Sequence, residues 1–66
     1  MKITVNGHER EVADGLTLAQ LLSEMKLAPH SLAVERNQAI AEREDFAATV
    51  IEDGDRLEIV QFVGGG

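Results

Sequence analysis

Asn6-Gly7 stands between two short segments of extended character, and that placement commits the N-terminus to a hairpin. Met1-Lys2-Ile3-Thr4-Val5 alternates apolar and polar residues, the period of a strand with one buried face. Asn and Gly both tolerate positive φ, which a two-residue turn requires at each central position. His8 to Val12 is therefore expected to return as a second strand. It carries Glu9, Arg10 and Glu11, so it reads as an edge strand that charge protects from further pairing.

Asp14-Gly15 marks a turn, after which the hydrophobic period changes from two to that of a helix. Thr17 and Gln20 have the spacing of a capping box, and Leu16 and Leu21 that of a hydrophobic staple. Leu18, Leu21, Leu22 and Met25 form one apolar stripe, expected to be core. Pro29 is expected to end the helix by about Leu27. Ser31 to Glu35 reads as a short strand with Leu32 and Val34 on one face. Arg36-Asn37-Gln38 is a turn, Ala39-Ile40-Ala41 a brief extended piece, and a single helical turn is expected around Phe46. Glu52-Asp53-Gly54-Asp55 is a tight turn in which Gly54 supplies positive φ. Arg56 to Val63 is the clearest strand, with Leu57, Ile59, Gln61 and Val63 on one face and Glu58, Val60 and Phe62 on the other.

A hairpin, a helix, short strands and a final strand make an α+β roll in which the helix crosses one face of a mixed sheet. This is the order of the β-grasp, or ubiquitin-like, fold, with four to five strands and one main helix. In that fold the first and last strands pair in parallel at the centre of the sheet, and the apolar pairs Ile3/Val5 and Leu57/Ile59 suit such burial. Residues 1–66 read as a single domain with a flexible tail at 64–66.

A chain of 66 residues has a core but no room to enclose a sizeable substrate, which argues against a free-standing enzyme. With 44% hydrophobic and 27% charged residues it is expected to fold. Its net charge of −6 repels phosphate backbones and anionic membranes, and Phe46 and Phe62 are its only aromatic residues, too few for a base-stacking platform. Neither nucleic acid nor membrane is expected as a partner. A protein with a basic docking surface suits this charge better. No cysteine is present, which excludes disulfides, thiolate metal sites and thiol catalysis. No signal segment or long apolar run is visible, and a cytoplasmic, monomeric protein is expected.

Side chains offer little chemistry. His8 and His30 lie in or beside turns without the converging ligands that zinc needs. The Glu52–Asp55 turn lacks the twelve-residue ligand spacing of a calcium loop. No phosphate-cradling glycine loop and no nucleophile elbow is present. What stands out is Gly64-Gly65-Gly66, three glycines directly after a strand. A carboxylate is a poor electrophile until ATP converts it to an acyl adenylate, which a sulfur nucleophile can attack. Three residues reach roughly 10 Å beyond the strand, and without Cβ atoms they pass close to enzyme backbone and phosphates. In an arbitrary chain such glycines would read as a frayed tail; after a ubiquitin-like order of elements, Gly66 is expected to be the carboxylate that is adenylated, with Gly64 and Gly65 threading it into a partner. With Leu57 and Ile59 buried, Val60 and Phe62 are expected on the open face of the sheet. There they would form a docking patch beside the tail, with Glu58 at its rim.

The stretch Ile51-Glu52-Asp53-Gly54-Asp55-Arg56-Leu57-Glu58-Ile59-Val60-Gln61-Phe62-Val63-Gly64-Gly65-Gly66 resembles the ThiS family of sulfur carriers. So do Val5-Asn6-Gly7, Asp14-Gly15-Leu16-Thr17-Leu18 and Leu32-Ala33-Val34-Glu35-Arg36-Asn37, so that the likeness covers the whole chain. The resemblance implies that a ThiF-like enzyme adenylates Gly66 with ATP. Sulfur-donor proteins, a cysteine desulfurase with its relays, would convert it to a thiocarboxylate, and a ThiG-like thiazole synthase would take the sulfur for thiamin biosynthesis. The chain would be a co-substrate with no cofactor of its own, ATP being bound by the partner. Two related readings share the fold and the Gly-Gly end: a MoaD-like small subunit of molybdopterin synthase and a ubiquitin-like modifier. The former often has proline before Gly-Gly, which Gln61-Phe62-Val63 lacks. A plain structural adaptor would not need a free Gly-Gly end.

Overall fold

The computed structural model describes residues 1–62. Strands β1 (Lys2–Val5), β2 (His8–Glu11), β3 (Leu32–Arg36), β4 (Ala39–Ala41) and β5 (Arg56–Gln61) form one sheet in the order β2-β1-β5-β3-β4. β1 and β5 are parallel and the other neighbours antiparallel. The sheet is thus the mixed five-stranded one expected of a β-grasp roll, with β5 at its centre and the charged β2 at one edge. One helix, α1 (Leu18–Glu24), and single 3₁₀ turns at Pro29–Ser31 and Arg43–Asp45 complete the described elements.

Both hairpins close through two residues of positive φ. Asn6 and Gly7 have φ of 50° and 81°, and Asn37 and Gln38 have 51° and 71°. Such turns match the twist of the strands they join. Gly54, in the turn before β5, has φ of 87°.

The helix start shows why so short a helix is stable. An α-helix leaves its first four N–H groups without intrahelical partners. Here Thr17 N–H donates to Gln20 Oε1 at 2.9 Å and Gln20 N–H to Thr17 Oγ1 at 3.1 Å, closing the capping box. Leu18 N–H donates to the Thr49 carbonyl at 2.8 Å and Ala19 N–H to that of Phe46 at 3.0 Å. All four donors are satisfied, two of them by the loop before β5.

The helix ends at Glu24, earlier than Pro29 alone would impose. Lys26 turns left-handed, with φ of 60°. Its N–H donates to the Ser23 carbonyl at 3.0 Å, and Leu27 N–H to the Leu22 carbonyl at 2.9 Å. This is a Schellman cap built on lysine instead of the usual glycine.

The core lies between α1 and one face of the sheet. Ile3, Val5, Leu32, Val34, Leu57 and Ile59 face Leu18, Leu21 and Leu22, with Leu16, Phe46 and Ile51 completing the cluster. Leu18, Leu21 and Leu22 are fully buried, whereas Met25 is half-buried at the margin. Each such leucine contributes about 1.5–3 kcal/mol relative to an exposed one.

Candidate functional site

Alternation along β5 divides its side chains between the two faces of the sheet. Leu57 and Ile59 enter the core, and Glu58, Val60 and Phe62 stand on the opposite, uncovered face. Val60 and Phe62 are 61% and 55% exposed. Register carries the face across β3: Ala33 lies opposite Val60, and Glu35 opposite both Glu58 and Ile40. Ile40, on edge strand β4, is 74% exposed. A groove beside this surface is lined by Ala33, Ile40 and Phe62 together with Glu42, Arg43, Glu44 and the edge of the core at Phe46. Phe62 N–H donates to the Ser31 carbonyl at 2.8 Å, so its backbone is fixed to the sheet while its ring faces outward. Ile40 is not singled out by the sequence, because the three-residue β4 gives too little alternation to assign its faces.

The sequence-predicted docking residues Val60, Phe62 and Glu58 therefore share one exposed face at the end of the chain that leads to the glycines. Val63 and the tail residues Gly64, Gly65 and Gly66 lie outside the described residues, as does the expectation that the tail is flexible.

The acidic turn before β5 serves the fold. Asp53 Oδ1 accepts from Lys2 N–H at 2.8 Å. Asp55, 5% exposed, accepts from Arg36 Nε at 2.8 Å, Asn37 Nδ2 at 3.0 Å and Glu52 N–H at 2.9 Å. Burial by itself would raise the Asp55 pKa. The bonds from the Glu52 N–H, Asn37 and Arg36, together with the Arg36 charge, outweigh it and hold the carboxyl below its ordinary value. Asn37 also accepts from Arg56 N–H at 2.9 Å, fastening the start of β5. The sequence offered no hint of this hub, since Arg36 precedes Asp55 by nineteen residues.

His8 and His30 are both exposed. Among the described residues, no group of three or more His, Cys, Asp or Glu side chains converges as metal ligands, and no helix is long and apolar enough to cross a membrane. What this face presents is apolar contact area, from Val60, Phe62 and Ile40, beside the carboxylates of Glu35 and Glu58.

Residues 3–66 match the family model described as ThiS family. The chain belongs to the ThiS family of sulfur carriers. The sulfur carrier protein ThiS of Escherichia coli is 32% identical over 66 residues, covering 100% of both chains. The crystal structure of the thiamine biosynthesis protein ThiS from Geobacter metallireducens superimposes with a TM-score of 0.85 at 43% identity, again over 100% of both chains. A thiazole synthase of Paramagnetospirillum magneticum is 42% identical over 66 residues. The chain spans only 20% of the length of that relative, so the likeness is to one part of a much longer protein. The ThiS-family membership agrees with the β-grasp topology.

Proposed function

We propose that this chain carries sulfur on Gly66 for thiazole formation in thiamin biosynthesis, as a co-substrate of partner enzymes. A ThiF-like enzyme binds ATP, and the Gly66 carboxylate oxygen attacks the α-phosphate. Pyrophosphate leaves and an acyl adenylate remains. A hydrosulfide equivalent from sulfur-donor proteins then adds to the carbonyl carbon. AMP departs with the former carboxylate oxygen, so one oxygen of Gly66 is exchanged for sulfur. A ThiG-like thiazole synthase takes the sulfur, and an oxygen from the sulfur acceptor or from water replaces it at the acyl carbon, which restores the carboxylate.

The observation that carries this reading is the end-to-end likeness to a sulfur carrier protein in sequence and to a ThiS in structure. The likeness to part of thiazole synthases supports a ThiG-like acceptor. The exposed Val60 and Phe62, rimmed by Glu58 and leading to Gly64 and Gly65, support docking through this face. Phe62 would be the anchor, and the acidic rim would steer a basic partner and raise the association rate.

Pyrophosphate release by a ThiF-like enzyme tests the activation step. The full chain should stimulate it, and the chain lacking Gly66 should not. Release that is indifferent to Gly66, or a product in which Gly66 is joined to a lysine amine, would overturn the carrier reading, the latter in favour of a ubiquitin-like modifier.

A further inference from the structure

We propose that Asn6 is a positioning residue for the activation of Gly66, acting through β5; this rests on the reading of Gly66 as the activated carboxylate. β1 pairs with β5 only at Thr4 opposite Arg56 and Val5 opposite Leu57. The Asn6 N–H still reaches the Leu57 carbonyl at 2.9 Å, and then the chain turns away through Asn6 and Gly7 into β2. From Ile59 onward, β5 has no backbone neighbour on that side among the described residues. The Asn6 side chain takes the vacant place. Its Oδ1 accepts from Ile59 N–H at 2.7 Å and its Nδ2 donates to the Ile59 carbonyl at 3.1 Å. One amide side chain thus reproduces the donor and acceptor pattern of a strand residue. The reversed amide would set donor against donor and acceptor against acceptor, so the two bonds fix its orientation.

Among the described residues, Ile59 is the last residue of β5 held on the β1 side. Val60, Gln61 and Phe62 follow, bonded or paired within the described residues only with the β3 side through Ala33, Leu32 and Ser31. The clamp therefore holds the β1 side of the strand that leads toward Gly66, seven residues beyond Ile59. Attack on ATP depends on the carboxylate arriving in line with the α-phosphate. Steadying the strand that carries it raises the fraction of bound carriers in that geometry. The docking face, anchored through β3, keeps its own contacts, so the clamp acts on turnover within the complex.

The turn and the clamp separate by substitution. Asn6→Gly keeps a residue suited to positive φ and removes both bonds to Ile59. Asn6→Asp keeps the acceptor for Ile59 N–H and sets a second oxygen against the Ile59 carbonyl. Thr17→Ala opens the helix cap and lowers stability without touching β5.

Pyrophosphate release by a ThiF-like enzyme, with KM and kcat resolved for each carrier, is read beside amide hydrogen exchange at Ile59. For Asn6→Gly we expect kcat to fall about tenfold with KM within about twofold of wild type, and faster Ile59 exchange. Asn6→Asp should fall between, and Thr17→Ala should keep the wild-type kcat. Wild-type kcat in Asn6→Gly despite faster Ile59 exchange would overturn the proposal, and so would an equal fall in Thr17→Ala. Should Asn6→Gly fail to fold, Asn6→Asp decides: a lower kcat at unchanged KM supports the clamp, and a wild-type kcat refutes it. A wild-type carrier that releases no pyrophosphate would instead refute the activation of Gly66, before any variant is compared.

Discussion

Arg36 Nε donates to Asp55 Oδ2 at 2.8 Å, and this bond ties the β3–β4 hairpin to the turn that launches β5. The same guanidinium reaches Glu52 Oε1 and the Val50 carbonyl, each at 3.3 Å. Removing the carboxylate leaves the Glu52 N–H and the Asn37 amide without their acceptor. Asp55→Ala should therefore cost about 2–3 kcal/mol in urea unfolding. A loss near zero would mean that water replaces the network without penalty.

The same hub sets an acid limit. The Asp55 pKa is lowered in the folded state, so between its folded and unfolded values the unfolded chain binds more protons and stability rises with pH. Its contribution is complete above the ordinary carboxylate range and is lost as pH falls through that range and below it. The stability gap between wild type and Asp55→Asn should be widest near neutrality and should shrink in acid. Urea midpoints taken across that range check this; a gap that is constant with pH contradicts it.

Lys26 caps α1 in a conformation that costs a β-carbon-bearing residue about 1–2 kcal/mol. Glycine relieves that strain and gives back part of the gain through the greater freedom of the unfolded chain. Lys26→Gly should stabilise the domain by about 0.5–1 kcal/mol. Lys26→Val should destabilise it, and thermal melts of the pair distinguish relief of strain from loss of the lysine charge.

Leu22 is fully buried in the centre of the helix stripe. Leu22→Ala should cost about 2–5 kcal/mol, a large share of what a domain of this size possesses. Equilibrium denaturation would show it; a loss under about 0.5 kcal/mol would contradict the core position.

Phe62 is 55% exposed, so its truncation should leave the melting temperature nearly unchanged. Phe62→Ala should weaken binding to a ThiF-like or ThiG-like partner by about 2 kcal/mol. Titration against each partner, with melts as a folding control, tests this. Unchanged binding to both, or an unfolded variant, would remove Phe62 as the anchor.

Much of the fold was legible because its signals are local. Asn6-Gly7 fixed the first turn, Thr17 and Gln20 the helix start, and alternation in Arg56–Gln61 the buried and open faces of β5. The early helix end escaped, since lysine does not advertise a left-handed cap. The turn of the second hairpin is legible in Arg36-Asn37-Gln38, but Gln38 gives no sign of its positive φ. The exposed pair Val60 and Phe62 followed from parity alone, whereas Ile40 joined them only through the register of β3 with β4. The longest-range features were hidden altogether. Asn6 reaches Ile59 across 53 residues, and its role in the turn already accounted for its presence in the sequence.

The central claim is that Gly66 carries the sulfur, and intact mass tests it most directly. The chain is incubated with ATP, a ThiF-like enzyme proven active on its own carrier, and a sulfur donor. The account predicts a gain equal to the exchange of one oxygen for one sulfur, dependent on ATP and located at Gly66 by fragmentation. An unchanged mass, or sulfur located anywhere else in the chain, would contradict it.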